Sequence, residues 1–173
     1  MTLEFKTGVL TVSDKGCAGL RPDESGKAVA AMLGSHGFPV VERRIVPDEK
    51  ETITRALVEW ADEKGLSLIV TTGGTGLSPR DVTPQATGEI VDYLVPGMAE
   101  AMRAKSMSVT PHAMLSRAVV GVRGSCLVVN LPGSTRGAQE NLEVVLPALF
   151  HALSKLSGDT SDCGGEEHRG KEQ

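Results

Sequence analysis

Two aspartates beside a glycine-rich turn are the residues of this sequence best suited to chemistry. Gly73, Gly74 and Gly76 stand in TTGGTGLSPRDVTP, directly after the apolar run Leu68-Ile69-Val70. Glycine tolerates positive φ and lets backbone N–H groups approach a ligand, so a turn of this kind can cradle an anion. Thr75 and Ser78 lie in the same loop and join the candidate ligand-binding residues. Thr83-Pro84 then reads as an N-cap with proline at the first helical position. The partial positive charge of a helix N-terminus there favours phosphate. Asp81 follows the glycines within this loop, while Asp14 in VSDKG and Asp48 in VPDE each follow another apolar run.

The letters exclude two common phosphate loops. A Walker A loop requires Lys and then Ser or Thr after its last glycine, but Leu77 and Ser78 follow Gly76. The dinucleotide fingerprint requires a small residue three places after its second glycine, with the helix starting at once; here Pro79 intervenes and the helix waits until Pro84.

What positions these residues is an alternation of strands and helices, which predicts a mostly parallel sheet with helices on both faces. Strands are expected at 8–12, 40–46 and 68–72, the second near an edge because Glu42, Arg43 and Arg44 interrupt its apolar residues. Helices are expected at 25–36, 49–63, 84–93 and 97–107. Residues 118–122 and 126–129 flank Arg123-Gly124-Ser125 as a hairpin, an antiparallel excursion. Asn130-Leu131-Pro132-Gly133 ends the second hairpin strand, and Ser134 caps a last helix that Pro147 should kink. The expected fold is therefore a three-layer α/β/α domain over 1–157, with a flexible polar tail over 158–173.

Ends of parallel strands lie along one sheet edge. Ser13, Asp14, Asp48, the Gly73-Gly74 turn and Asn130, Pro132, Gly133 and Ser134 should therefore line one crevice. It would hold glycine turns, helix N-termini and carboxylates, and no histidine or nucleophilic cysteine. Unneutralised carboxylates would repel phosphate, and a hard cation such as Mg²⁺ turns that repulsion into binding. The plainer readings are that Asp48 caps a helix with Glu51, that Asp81 shapes its loop in an Asx turn, and that Asp14 ends a strand in a turn. Arg80 and Arg117 are either nearby cations or ordinary surface charges.

The 173 residues suffice for one domain, and with aromatics at 3% the core must be built from aliphatic side chains. A net charge of −4 argues against a nucleic-acid partner. No apolar run approaches the roughly 18 residues of a membrane span, and the N-terminus lacks signal-peptide features, so a cytoplasmic protein is expected. Cys17, Cys126 and Cys163 fit free thiols in a reducing compartment, and Cys163 with His168 makes a poor metal site.

TTGGTGLSPRDVTPQAT, PGMAEAMR, TPHAMLSRAVVGVRG and VNLPGSTRGAQE occur in this order, with LTVSDKG and VPDE upstream. Together they resemble the molybdenum cofactor biosynthesis family that includes bacterial molybdopterin adenylyltransferases and the N-terminal domain of gephyrin. The resemblance covers residues 5 to about 157; the tail lies outside it, and His112 departs from an apolar position. It implies a three-layer α/β/α domain, usually a homotrimer, that joins ATP to molybdopterin with Mg²⁺ and releases pyrophosphate. Asp48 and Asp81 correspond to the two acidic residues on which that chemistry rests, as catalytic and metal-binding groups. It further implies handover of the product to a molybdenum-insertion protein. A member that only binds pterin or nucleotide, or one that serves as a scaffold, is the alternative.

Overall fold

The computed structural model describes residues 4–160; the expected tail, with Cys163 and His168, falls almost wholly outside them. The described residues form a six-stranded sheet in the order β2-β1-β3-β6-β5-β4. Its strands are β1 (Thr7–Val12), β2 (Val40–Val46), β3 (Leu68–Thr72), β4 (Tyr93–Leu94), β5 (Val120–Arg123) and β6 (Cys126–Leu131). β2, β1, β3 and β6 run parallel, so their carboxyl ends share one edge. β5 and β4 are antiparallel additions, and β2 takes the edge position its charges predicted.

Side chains alternate across the parallel strands as a sheet covered on both faces demands. Val9, Leu68, Val70, Leu127 and Val129 face one apolar layer. There they meet α2 (Glu24–Ser35), α5 (Pro96–Met107) and α6 (Thr135–Leu156), through residues such as Val29, Met102 and Leu142. Leu10, Val12, Ile69 and Val128 face the other layer, against Ile53 and Leu57 of α3 (Lys50–Val58) and Ala86 and Ile90 of α4 (Thr83–Ile90). The layers are those of a three-layer α/β/α fold. Trp60 closes the second layer from a π-helical turn at Glu59–Glu63 and is fully buried, with the Arg44 guanidinium 5.4 Å above its ring. Gly8 is required beneath it, because a Cβ there would meet the indole at 2.6 Å.

Two local expectations are corrected. The helix expected at 84–93 starts at Thr83 and stops at Ile90, and Tyr93–Leu94 pair with β5 instead. The helix expected at 97–107 starts one residue earlier, at Pro96, and buries Ala99 and Met102. Asp23 caps α2, its carboxylate accepting the Gly26 N–H at 2.9 Å. Pro147 stands inside α6, at an exposed position of that helix.

Candidate active site

Each carboxyl end of the four parallel strands delivers one part of the site. After β1, Ser13 accepts the Gly16 N–H at 3.0 Å and so caps the short helix α1 (Asp14–Cys17). Asp14 and Asp48 are bound reciprocally: the Asp14 N–H donates to Asp48 Oδ2 at 2.8 Å, and the Asp48 N–H donates to Asp14 Oδ1 at 2.9 Å. Arg80 completes the clasp, its Nε donating to Asp14 Oδ2 at 3.0 Å and its Nη2 to Oδ1 at 2.8 Å. This guanidinium holds the Asp14 carboxyl below its ordinary range, with the Asp48 N–H adding to the effect. Asp48 moves the other way. Burial raises its pKa above the usual aspartate value, and the nearby Asp14 and Asp81 carboxylates push in the same direction.

The capping role considered for Asp48 is not observed. α3 has Glu49 as its N-cap residue, without a side-chain cap bond. The Thr83 cap is absent as well: Val82 holds that position, and the buried Thr83 hydroxyl donates to the Gly73 carbonyl at 2.9 Å. Asp81 does shape its loop, since its Oδ2 accepts the Ser78 N–H at 2.9 Å. Oδ1 of Asp48 and Oδ1 of Asp81 accept no hydrogen bond among the described residues.

The glycines prove necessary for a reason other than room for phosphate alone. Gly73 and Gly74 have φ of 101° and 66°. A Cβ on Gly73 would collide with the Val12 carbonyl oxygen, and one on Gly74 would collide with Thr83 Oγ1 and lie 3.3 Å from Asp48 Oδ1. At Gly76 it would stand 2.9 Å from Asp81 Oδ2. The three glycines thus let the turn press against both carboxylates at once. The N–H groups of Gly74, Thr75 and Gly76 donate to no acceptor among the described residues.

These parts border a cleft of about 230 Å³, lined by Ser13, Asp48, Gly73, Gly74, Asp81 and Gly133 among others, with exposed Arg21 at its mouth. A second pocket of about 280 Å³ lies on the other side of the loop, where Thr75, Gly76, Pro132 and Ser134 face Arg103, His112 and Leu115. Ser134 also caps α6. Three expected residues lie outside both linings: Asp14, held in the clasp with Arg80, and Ser78 and Asn130. Ser78 is exposed and contributes its backbone N–H to Asp81. Asn130 is fully buried, its amide donating at 3.0 Å to both Thr71 Oγ1 and Thr87 Oγ1 and its oxygen accepting the Val119 N–H at 3.3 Å. It ties β3, α4 and the approach to β5 together and is not part of the cleft lining.

Sequence reasoning overlooked Arg21 and left Arg117 undecided. Arg117 donates to the carbonyls of Gly76 and Asp81 and holds the loop from beneath. Neither residue belongs to a periodic pattern that would single it out.

The family model described as "Probable molybdopterin binding domain" matches residues 8–151. The chain belongs to that family. It is similar to the molybdopterin adenylyltransferase of Helicobacter pylori, 39% identical over 88% of this chain and 88% of that protein's length. Gephyrin of Dictyostelium discoideum is 38% identical over 98% of this chain, which spans only 25% of gephyrin. The crystal structure of the molybdopterin biosynthesis enzyme MoaB from Thermus thermophilus superposes with a TM-score of 0.85 at 53% identity, covering 90% of this chain and 98% of that one. In this molybdopterin-binding-domain member, the described residues hold no group of three or more His, Cys, Asp or Glu side chains placed to hold a metal ion. The pair of free carboxylate oxygens on Asp48 and Asp81 nevertheless suits Mg²⁺. That ion takes one or two protein carboxylates and fills its remaining positions with water and substrate phosphate.

Proposed function

We propose that this protein is a molybdopterin adenylyltransferase of molybdenum cofactor biosynthesis, moving AMP from ATP to the terminal phosphate of molybdopterin and releasing pyrophosphate with Mg²⁺. The observation that carries the reading is the convergence of Asp48 and Asp81 on a glycine turn with unused N–H groups, in a cleft with no histidine or cysteine side chain in its lining. A phosphate monoester has a second pKa of about 6, so the attacking group is already largely dianionic at neutral pH and needs no general base. The work left to the protein is to align two phosphate chains and stabilise charge at the α-phosphorus and the leaving pyrophosphate.

Asp48 Oδ1 and Asp81 Oδ1 would hold Mg²⁺, which supplies neutralisation of the phosphate oxygens when bound. The N–H groups of Gly74, Thr75 and Gly76 would donate to phosphate oxygens in the same site. The pockets on either side of the loop would each take one substrate's ring system, so that the phosphates meet over Gly74. Asp14 would not touch substrate in this arrangement, since both its oxygens are engaged by Arg80 and the Asp48 N–H.

The same reading includes a homotrimer and handover of the product to a molybdenum-insertion protein. Exposed apolar side chains at Met107, Val109, Met114 and Leu115, 47–59% accessible, support self-association. Sedimentation equilibrium tests it, with a monomer at micromolar concentration as the contrary result. A cytoplasmic location is part of the proposal, and no described helix is long and apolar enough to cross a membrane. The deciding experiment is pyrophosphate release measured with ATP, molybdopterin and Mg²⁺ present together and then omitted singly. Release should require all three; binding of both substrates without release would identify a carrier instead.

A further inference from the structure

Arg117 lies between the 3₁₀ turn at Pro111–Leu115 and β5, outside the cleft lining, yet three of its N–H donors reach the catalytic loop. Its backbone N–H donates to the Thr75 carbonyl at 2.9 Å, its Nε to the Gly76 carbonyl at 2.8 Å and its Nη2 to the Asp81 carbonyl at 2.6 Å. The last two carbonyls bracket the loop, and the guanidinium is planar and rigid. The span between Gly76 and Asp81 is therefore fixed by a single side chain. Within that span the turn is closed by Ser78, whose N–H reaches Asp81 Oδ2 and whose carbonyl accepts the Asp81 N–H at 2.9 Å. With one carboxylate oxygen tied to the turn and the backbone tied to Arg117, the Asp81 carboxylate is held in the lining of the cleft that Asp48 also lines, and its Oδ1 accepts no hydrogen bond among the described residues.

We propose that Arg117 is a positioning residue that aims Asp81 at the metal, acting entirely through the loop's carbonyl groups. The inference rests on the metal-assisted reading above. Lysine carries the same charge but offers a point donor that cannot span two carbonyls as the fork does. The arginine geometry, and not merely a positive charge, is thus the essential feature. Arg80 differs: it is exposed and reaches Asp14 rather than the loop's own backbone.

The test compares wild type with Arg117→Lys and Arg117→Ala. Mn²⁺ binding is followed by electron paramagnetic resonance with a non-hydrolysable ATP analogue, and amide exchange at Ser78 by NMR. Both variants should bind Mn²⁺ about tenfold more weakly, the scale of losing one charge-assisted hydrogen bond, and should exchange the Ser78 amide about tenfold faster. Added guanidinium should restore Mn²⁺ binding to Arg117→Ala, whereas methylammonium should not. Wild-type Mn²⁺ affinity in Arg117→Lys would overturn the proposal, and that variant keeps the test open should the alanine variant fail to fold. If wild type with the analogue binds no Mn²⁺, the metal-assisted reading falls. The Ser78 exchange rates would then still decide whether Arg117 holds the Asp81 turn.

Discussion

Replacing Gly74 by alanine should destabilise the fold itself, although the residue sits in a loop beside a ligand site. Its φ of 66° lies in the left-handed region, where an L side chain costs about 1–2 kcal/mol. The added Cβ also falls on Thr83 Oγ1, and Thr83 is fully buried with its hydroxyl bonded to the Gly73 carbonyl. Pushing that hydroxyl away leaves a buried polar group without its partner, worth about 1–3 kcal/mol. Together these give roughly 3 kcal/mol, and for a chain of this size that lowers the melting temperature by about 6–12 °C. Gly124→Ala is the matched control, because its φ is 55° but nothing lies within 4 Å of the added Cβ. Thermal melts followed by circular dichroism should place Gly74→Ala clearly below Gly124→Ala. Equal melting temperatures would show that the turn does not press on Thr83 and would refute the packing argument.

Asn130→Ala should cost about 3 kcal/mol, since it strands Thr71, Thr87 and the Val119 N–H in the interior; a melt within a degree of wild type would return Asn130 to a ligand-binding role. Gly88→Ala, on an open and exposed turn of α4, should stabilise by about 0.5–1 kcal/mol, and a lower melting temperature would contradict it. Burial raises the Asp48 pKa, so the folded state binds that proton more tightly than the unfolded one, and ionisation of Asp48 weakens the fold as pH rises through the raised value. Asp48→Asn should therefore melt no lower than wild type at neutral pH, which a thermal scan checks.

The site was legible in the sequence wherever position along a buried strand determined it. Val12, Val46, Thr72 and Leu131 end parallel strands, so Asp14, Asp48, Gly73 and Gly133 had to meet at one sheet edge. The Ser134 cap of α6 and the hairpin at Gly124 were readable for the same reason, that cap and turn chemistry are local. What escaped was the use made of individual polar atoms. Thr83 resembles an N-cap in sequence, yet its hydroxyl turns back to Gly73, and the helix starts one residue earlier. Asp48 precedes Glu51 as a capping box would, yet its carboxylate is claimed by the Asp14 N–H, which comes from a different strand end. Asn130 and Arg117 act through hydrogen bonds to residues far away in the chain, and no spacing rule encodes those partners.

Pyrophosphate release by Asp48→Asn and Asp81→Asn, with ATP, molybdopterin and Mg²⁺ in excess, tests the central claim most directly. Asparagine keeps the size and an acceptor oxygen, so the Asp14 and Ser78 N–H bonds can persist while the charge facing the cleft is lost. Removing a preorganised electrostatic element of this kind costs on the order of 10²–10³ in rate. The account predicts a loss of that size in both variants, with unchanged melting temperatures. Near wild-type release from both would contradict it and leave the two aspartates as shapers of the loop.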